Sequence, residues 1–349
     1  MLPSVTVVID PFGEYPRPPE AEVPFERTLR SLLDQSYPAE QLTILVTCTD
    51  REAPSVRKIV ANEPRASVVD VPEGNGYYQK KNQGMREATS DIVMLADGDV
   101  AYPPEWVGEM VAAFERGGED VVYVQGVSRF APGRYSDILS PLYFRNFLPE
   151  GPTQQVLSAH NVAIRTRDVA DFQFEETKLR GGTERPLSER IARAGRTIWH
   201  NRRATVRHEP VTDLHELRSQ ADDRGYYRMI MWRRTPHRAD RALEPLGYLA
   251  IPIYVAYVAV RDAGRQLRDR PARGLTGLGL LKIPAYIAVT FAFHVIAGLS
   301  MLRVLRHFNR TGEFPPAPHG HVDGPLDLGG RELGAVSPRP SRTDAPRAS

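Results

Sequence analysis

The sequence predicts an α/β fold with a mostly parallel central sheet, helices on both faces and additional apolar helices near the C-terminus. The first observation behind this prediction is that short β-branched segments alternate with segments of helical spacing. The second is that aspartates follow three of the predicted strands, at Asp10, at Asp50 and in the pair Asp97 and Asp99. Ligands of such sheets gather at the carboxyl ends of the strands, so this edge is the expected functional site.

The composition narrows the class of protein. A chain of 349 residues allows one large domain with an appendage, or two domains. The net charge of +2, without a basic-aromatic strip, predicts that nucleic acid is not a partner. The single cysteine, Cys48, excludes an internal disulfide and fits a reducing compartment. The N-terminus has no basic region followed by a long apolar run, so it predicts a strand and not a signal peptide.

The first elements follow from residue type and spacing. Residues 5–9 are β-branched and lie between Pro3 and the pair Asp10-Pro11, which predicts a strand. Residues 25–33 carry apolar side chains at helical spacing and are followed by Tyr37-Pro38, which predicts a helix that stops there. The same reasoning predicts strands at 42–46, 66–71 and 92–96 and helices at 56–61 and 80–88.

The later elements are read in the same way. The pattern predicts helices at 106–114 and around 189–194, strands at 121–127, 158–164 and 196–206, and an aromatic, amphipathic segment at 136–148. From residue 312 onward the chain is rich in Pro, Gly, Arg and Ser, which predicts a disordered tail.

The stretch Asp97-Gly98-Asp99 closes the buried strand predicted at 92–96. If strand geometry continues through it, both carboxylates project from the same side. Two ionised carboxylates that close repel each other unless a cation lies between them. Such hard oxygen ligands suit Mg²⁺ or Mn²⁺, especially where a substrate phosphate completes the shell. The alternative is a simple Asp/Gly turn after a strand, but the other aspartates at strand ends favour a site.

Four motifs follow one another along the chain, around the segments SLLDQSYP, KKNQG, TERPLSERIARAG and VRHEP. Their order resembles that of the family-2 glycosyltransferases, which have a GT-A fold, a Rossmann-like variant of the α/β class. The resemblance covers residues 5–208. It rests on FERTLRSLLDQSYPAEQLTILV, similar to that family's first helix and second strand, and on KKNQGMREATSDIVMLADGD, similar to its N-x-G helix and D-x-D strand. It also rests on GGTERPLSERIARAG, which resembles the G-E-D-x-x-L-x-x-R segment, and on ATVRHEP, which resembles the strand ending in histidine.

The resemblance implies a chemical role for each motif. It implies that Asp97 and Asp99 engage a divalent cation, Mg²⁺ or Mn²⁺, and the diphosphate of a UDP- or GDP-sugar. It implies that His208 completes the metal shell; the alternative is a surface histidine beside Arg207. It implies that Glu184 accepts the proton of the acceptor hydroxyl, as a positioned carboxylate does in general-base catalysis. Helix capping or a salt bridge is the alternative for Glu184.

The resemblance also implies a set of donor-binding residues near the strand ends. They are Pro11, Phe12, Glu14, Asp50, Lys81, Asn82 and Asp97. Two motifs depart from the family pattern. Thr183-Glu184 replaces the E-D pair, and the segment VTCTD replaces V-D-D-G-S, with Asp50 as the nearest substitute for the base contact. For Lys81 and Asn82, an exposed helix face without a role is the alternative.

Two apolar segments, 246–260 and 283–302, have arginines at every end. The first is short for a spanning helix, which needs about 20 residues at ~1.5 Å each, and the second is long enough. If both crossed the bilayer, the basic linker between them and the catalytic domain would lie on opposite sides, against the positive-inside tendency. Two segments lying in the cytoplasmic leaflet keep all the arginines facing anionic lipid. A buried helical hairpin packed on the domain is the alternative.

Taken together, these features predict a metal-dependent, inverting glycosyltransferase with a catalytic domain at 1–212, a membrane-associated helical region at 213–311 and a disordered tail at 312–349. The expected donor is a UDP- or GDP-sugar, and the expected acceptor is a glycan or lipid-linked molecule of cell-envelope synthesis. The expected location is the cytoplasmic face of the cell membrane. The alternatives are a non-catalytic GT-A-fold membrane scaffold and a sugar nucleotidyltransferase, although residues 11–17 lack the G-x-G-T-R loop of the latter.

Overall fold

The structure is a computed structural model, and it describes residues 2–11, 24–133, 135–144, 148–156, 158–176, 182–208, 214–234, 236, 238–268 and 277–316. The strands are β1 (Val5–Asp10), β2 (Leu42–Thr49), β3 (Ala66–Val71), β4 (Ile92–Asp97), β5 (Val100–Ala101), β6 (Val121–Phe130), β7 (Gly151–Thr153), β8 (Asn161–Arg165) and β9 (Thr197–His208). The helices are α1 (Pro24–Leu33), α2 (Ala53–Val60), α3 (Tyr77–Glu87), α4 (Trp106–Gly117), α5 (Ser136–Phe144), α6 (Glu184–Arg193), α7 (Leu214–Arg234), α8 (Arg238–Leu243), α9 (Ala250–Arg268) and α10 (Ile283–Thr311).

One sheet organises the N-terminal part of the chain. Its strand order is β3-β2-β1-β4-β8-β6-β9-β5, with β7 paired to β9. The pairs β3-β2, β2-β1 and β1-β4 are parallel, as the alternation of strands and helices predicts. Beyond β4 the pairing is mixed, because β8 runs antiparallel to both β4 and β6, whereas β6 and β9 are parallel. Since β1–β4 share one direction, their carboxyl ends lie at one edge.

Both faces of the sheet are covered, so its central strands are buried along their whole length. The residues of β1 and β4 are buried at every position, which explains why they read as continuous apolar runs without alternation. One core forms between the sheet and α1, α2 and α4, and contains Phe25 and Trp106. A second core forms on the other face and contains Tyr78 of α3 and Leu187 of α6. The predicted layer architecture is therefore observed.

The predicted boundaries differ from the observed ones mainly at the ends of elements. The strands β2 and β6 continue past 46 and 127, to Thr49 and Phe130, and α3 begins at Tyr77, three residues before the predicted start. The helical segment predicted at 136–148 ends at Phe144, and residues 145–147 lie outside the described part. Of the tail predicted to be disordered, residues 317–349 likewise lie outside it.

The C-terminal helices α9 and α10 pack on α7 and form a hairpin, which we call the apolar hairpin (residues 244–268 and 277–311). Residues of α7, α9 and α10 share one hydrophobic core that includes Tyr226, Ile230, Ile251 and Met301. A second cluster joins Leu217 and Phe293 to Leu139 of α5. The hairpin is thus fixed to the sheet-bearing part of the chain through α7 and α5.

Candidate active site

The edge formed by the carboxyl ends of β1 and β4 brings together three aspartates. Asp10 and Asp97 are opposite each other in the parallel register of β1 and β4. Gly98 turns the chain directly against the backbone after Asp10, and its N–H donates to the Asp10 carbonyl at 2.8 Å. A Cβ at Gly98 would lie 2.1 Å from the Pro11 carbonyl oxygen. A glycine is therefore required between Asp97 and Asp99 because no side chain fits beneath this turn.

Asp97 is buried and is held by side chains of α3. The Lys81 ammonium lies 2.6 Å from Asp97 Oδ1, and the Tyr77 hydroxyl donates to both carboxylate oxygens at 3.0 Å. Burial raises the pKa of Asp97 above its usual range, and Lys81 opposes that rise. Lys81 is itself fully buried and also donates to the Ala96 carbonyl at 2.8 Å. Its side chain therefore serves as the internal counter-ion of Asp97, and the exposed-face alternative for Lys81 is wrong.

Asp99 lies beside His208 because of a two-residue strand. Directly after Asp99, β5 pairs antiparallel with the end of β9, in a register that sets Val100 opposite His208. His208 Nδ1 lies 3.7 Å from Asp99 Oδ1. The ring of Phe144 stacks on the imidazole with centroids 5.0 Å apart and planes at 16°. Burial lowers the pKa of His208, so the imidazole is neutral near pH 7.

A second histidine, His160, completes this part of the site. Its ring meets the His208 ring edge-on at 4.3 Å, and its Nδ1 lies 3.7 Å from Asp97 Oδ2. His160 Nε2 and Ser128 Oγ are 2.9 Å apart. Burial lowers the pKa of His160 well below its usual range, so it is also neutral. A neutral imidazole in this position lies beside Asp97 without adding charge.

Glu184 begins α6 and is held in place by two hydrogen bonds. The Tyr78 hydroxyl donates to Oε1 at 2.5 Å, and the Gly182 N–H donates to Oε2 at 3.0 Å. Burial raises the pKa of Glu184, and the hydrogen bond from Tyr78 is the first of the contacts that oppose the rise. The residue nevertheless keeps part of its surface exposed to solvent. A carboxylate that is oriented, partly desolvated and still accessible can accept a proton from a bound hydroxyl.

Adjacent tyrosines of α3 connect the two carboxylates. Tyr77 binds Asp97 and Tyr78 binds Glu184, while their rings meet edge-on at 5.0 Å. The sequence predictions missed both tyrosines because they placed the start of this helix at Lys80. Gly76 at the N-cap position, with its N–H donating to the Gln79 side chain at 2.8 Å, is the local signal that marks the true start.

The structure places the predicted donor-binding residues in different environments. Pro11 is buried at the turn against Gly98, and Asp50 is exposed in the loop after β2. Asn82 is fully buried, and both polar atoms of its amide bind the backbone of Phe174, at 2.9 and 3.1 Å. The amide of Asn82 is therefore hydrogen-bonded inside the protein. It lies neither on an exposed helix face nor in a position to contact a donor, the two roles considered from the sequence. Phe12 and Glu14 lie outside the described residues.

Two of the three predicted metal ligands, Asp99 and His208, lie beside each other, with His208 Nδ1 3.7 Å from Asp99 Oδ1. Within the described ranges, no group of three or more His, Cys, Asp or Glu side chains converges as a complete metal site. The reason is that Lys81 holds Asp97, which leaves Asp99 and the neutral His208, whose buried Nε2 has no hydrogen-bond partner among the described residues. Carboxylate and imidazole suit Mn²⁺, and oxygen ligands suit Mg²⁺. These residues fit a divalent cation whose remaining ligands come from a bound diphosphate.

Comparison with known proteins supports the resemblance seen in the motifs and shows the fold. Residues 20–172 match the family model described as glycosyl transferase family 2, which confirms the resemblance seen in the motifs. The match ends before Glu184 and His208, so the roles of these two residues depend on the motifs and on the geometry above. Comparison with curated proteins finds no match.

Solved structures share the fold at low sequence identity. The mannosyltransferase PcManGT from Pyrobaculum calidifontis, in complex with GDP-Man and Mn²⁺, is 19% identical with a TM-score of 0.54, and the match covers 86% of this chain and 88% of that one. S. aureus TarS in complex with UDP-GlcNAc is 13% identical (TM-score 0.47), covering 90% of this chain and 95% of that one. GalNAc-T7 with UDP, GalNAc and Mn²⁺ is 14% identical (TM-score 0.46), covering 60% of this chain and 43% of that one. The match to the mannosyltransferase, which has the TM-score above 0.5, confirms the predicted GT-A fold.

Proposed function

We propose that this chain, which carries a family-2 glycosyltransferase domain on a GT-A fold, transfers a sugar from a nucleoside-diphosphate donor to an acceptor hydroxyl with inversion at the anomeric carbon. The observation that carries the proposal is the pair of tyrosines that fixes Glu184 and Asp97 relative to each other at one edge of the sheet. Transfer needs a base for the acceptor and a group that stabilises the leaving diphosphate, and this edge supplies residues suited to both tasks.

In this reaction Glu184 acts as the general base. The acceptor oxygen forms a bond to the anomeric carbon while the bond from that carbon to the leaving diphosphate breaks. The hydroxyl proton passes to the Glu184 carboxylate, which Tyr78 and the Gly182 N–H hold in one orientation. Asp99 and His208 would hold the divalent cation, which when bound stabilises the negative charge of the leaving diphosphate. Asp97, neutralised by Lys81, supports the turn that presents Asp99.

The function is tested by donor hydrolysis and sugar transfer with the purified full-length chain, using UDP- and GDP-sugars with Mn²⁺ or with EDTA. Glu184→Gln keeps the shape of the side chain but removes its ability to take a proton, so kcat should fall by about 10²–10⁴-fold. Glu176→Gln is the matched control, because Glu176 lies on the surface in an ion pair with Arg86. Equal rates for Glu184→Gln and the wild type would contradict the assigned base, and no turnover of any donor would contradict the enzyme.

The apolar hairpin supports a proposed attachment to the cytoplasmic face of the membrane. Among the described residues, the helical stretches Asp240–Arg265 and Leu280–Thr311 are long and apolar enough to cross a bilayer. Each presents an exposed apolar stripe at helical spacing, through Leu249, Ile253 and Tyr257 on the first and through Phe291, Val295 and Leu299 on the second. These stripes suit burial in the headgroup and acyl boundary of a leaflet.

Charged contacts of α10 with α7 and α9 favour a hairpin that lies in the plane of the membrane over one that crosses it. Arg303 of α10 forms an ion pair with Asp222 of α7 at 2.9 Å, and His294 of α10 lies 3.2 Å from Asp262 of α9. A helix that crossed the bilayer while packed on α7 would carry these charges into hydrocarbon, which is costly. The arginines at the ends of the hairpin would instead meet anionic lipid headgroups. An acceptor embedded in the same leaflet would then reach the active site.

Vesicle sedimentation tests this attachment. The double variant Tyr257→Asp with Leu299→Asp should release the protein from phosphatidylglycerol vesicles, whereas Leu2→Asp, at an exposed apolar residue far along the chain from the hairpin, should not. High salt should weaken binding without abolishing it, because apolar burial supplies most of the affinity. A reporter fused after Leu302 and found outside the cytoplasm would show that α10 spans the membrane.

A further inference from the structure

The helix α7 lies between the active site and the apolar hairpin and contacts both. On the side of the catalytic part, Met231 of α7 packs against Gly182 so closely that a Cβ added at Gly182 would lie 2.5 Å from the Met231 sulfur. On the same side, Arg234 of α7 lies 3.7 Å from Glu175. Towards the hairpin, a Cβ at Gly225 would lie 2.0 Å from the Ala297 carbonyl oxygen. One face of α7 therefore borders the loop that carries Glu184.

Arg224 lies on α7 over the ring of Tyr143, on the side of the helix that faces the aromatic cluster around His208. Its positive charge acts on Glu184, where it is one of the influences that lower the pKa of that carboxyl against the effect of burial. Its guanidinium carbon lies 5.9 Å from the centre of the Tyr143 ring. Tyr143 adjoins Phe144, the residue that stacks on His208. Arg224 thus lies beside the aromatic side chains that pack on His208, and its charge reaches Glu184.

Among the described residues, Arg224 has no anionic partner, unlike three other arginines nearby on α7 and α10. Arg228 on the same helix pairs with Asp240, Arg234 pairs with Glu175, and Arg303 of α10 pairs with Asp222. No carboxylate of the described residues lies within 4.0 Å of the Arg224 guanidinium, which is half-buried. An arginine stays charged at any physiological pH and presents five N–H donors. A half-buried guanidinium without a partner is the arrangement expected where an anion binds.

A buried amide one turn earlier adds an independent observation. Gln220 is only 4% exposed, and its Oε1 accepts no hydrogen bond within the described part of the chain. Residues four apart on a helix are neighbours on its surface, so Gln220 and Arg224 share a face. Buried polar atoms in folded proteins are nearly always satisfied, so the unsatisfied Gln220 oxygen, one helical turn from Arg224, points to a bound group that supplies a donor. The carbonyl would accept from a hydroxyl while the guanidinium donates to an oxyanion.

We propose that Arg224 binds a phosphate oxyanion of a substrate next to Glu184, with Gln220 accepting from a hydroxyl of the same bound molecule. This inference rests on the proposed function, and two substrates carry the required chemistry. One is the leaving diphosphate of the donor, and the other is a phosphate group on the acceptor. The planar fork of arginine suits either, because it donates two parallel hydrogen bonds to a phosphate. The cation also keeps the bound oxyanion from repelling the ionised base.

Calorimetric titration of the full-length protein tests the site with inorganic pyrophosphate, which carries the oxyanions without a nucleoside or sugar. Arg224→Gln should weaken pyrophosphate binding about 10- to 100-fold, because hydrogen bonds to a charged group are lost. Arg224→Lys should retain part of the affinity, since it keeps the charge but not the fork. Arg218→Gln is the matched control, because Arg218 is an exposed arginine of the same helix. Thermal unfolding of each variant shows whether the fold is kept.

Two further titrations distinguish the sources. If the phosphate belongs to the donor, Arg224→Gln also weakens binding of UDP or GDP. If it belongs to the acceptor, UDP and GDP bind as before, and the variant loses binding of octyl phosphate. Wild-type affinity of Arg224→Gln for pyrophosphate and octyl phosphate, or no binding of either by the wild type, overturns the site. Arg224-dependent binding of pyrophosphate by a protein that turns over no sugar donor would refute the proposed function and leave the oxyanion site standing.

Discussion

Tyr78→Phe removes one hydroxyl and isolates the hydrogen bond that holds the candidate base. In the wild type this hydroxyl donates to Glu184 Oε1 at 2.5 Å, within the range for hydrogen bonds to an ionised carboxylate. The phenylalanine ring keeps the packing of a side chain that is 0% exposed. The other groups that face Glu184 stay in place, namely the Gly182 N–H, Arg224 of α7 and Tyr123 of β6. The substitution therefore changes the electrostatics of the base more than its position.

The direction and size of the effect follow from these contacts. Burial raises the pKa of Glu184 above the usual carboxyl value, and the hydrogen bond from Tyr78 opposes that rise. Without the hydroxyl the pKa of Glu184 rises further, so the base is ionised only at higher pH. A hydrogen bond to a charged group contributes about 1.5–3 kcal/mol, and 1.36 kcal/mol corresponds to one pKa unit. The acidic limb of the pH–kcat profile should move upward by about one to two pH units.

The assay is the pH dependence of kcat for sugar transfer at saturating donor. On the acidic side Tyr78→Phe should be about 10- to 100-fold slower than the wild type. The two rates should converge at high pH, where Glu184 is ionised in both proteins. Tyr123→Phe is the control, because its buried hydroxyl has no hydrogen-bond partner among the described residues. The acidic limb of the pH–kcat profile of Tyr123→Phe should stay in place, and the stability of this variant should be unchanged or higher. An unshifted limb in Tyr78→Phe, or an equal shift in both variants, would refute Glu184 as the base.

Three further predictions concern the metal, the counter-ion and the hairpin. Asp99→Ala should abolish Mn²⁺-dependent turnover and weaken Mn²⁺ binding in calorimetry, with little change in melting temperature because the side chain lies at a loop; full activity in EDTA would contradict the metal role. Lys81→Met should lower the free energy of unfolding by about 3–5 kcal/mol in a denaturant titration, because Asp97 stays buried without its cation. A near-neutral effect would show that Lys81 is not needed as a counter-ion. Gly225→Ala should destabilise by about 1–3 kcal/mol, since its Cβ meets an α10 carbonyl at 2.0 Å. Gly264→Ala in α9, where a Cβ has open space, should stabilise by about 0.5–1 kcal/mol, and equal melting temperatures for the two would contradict the close helix packing.

The sheet was predictable because its strands carry a strong local signal. The strand predicted at 66–71 coincides with β3, and the run predicted at 92–96 differs from β4 by one residue. By contrast, β5 has two residues and no periodicity of its own, so its pairing with β9 appears only in three dimensions. The nearness of Asp99 and His208 was therefore implied by the resemblance alone, and the physical reason for it lies in the register of β5.

The helix α7 was not predicted as a single element because its pattern is not amphipathic. It is buried on two faces, against the catalytic part and against α10, and its buried positions include the polar residues Gln220 and Asp223 as well as Leu217 and Ile230. Polar residues at buried positions cancel the 3.6-residue period on which a sequence prediction depends.

Consecutive lysines at the start of α3 explain why the aspartates at the sheet edge do not form a metal site by themselves. Lys80 lies 3.2 Å from Asp10 and 2.7 Å from Glu52, and Lys81 lies 2.6 Å from Asp97. Both ammonium groups are buried, so each carboxylate that faces them is already compensated. Asp99, beyond the turn at Gly98, lies beside His208, with Nδ1 of the histidine 3.7 Å from Asp99 Oδ1. A divalent cation held there by one carboxylate and one imidazole would take its remaining ligands and its balancing charge from a bound diphosphate. We therefore expect the cation and the diphosphate to bind as one unit beside Asp99 and His208, beyond the carboxylates that Lys80 and Lys81 pair with.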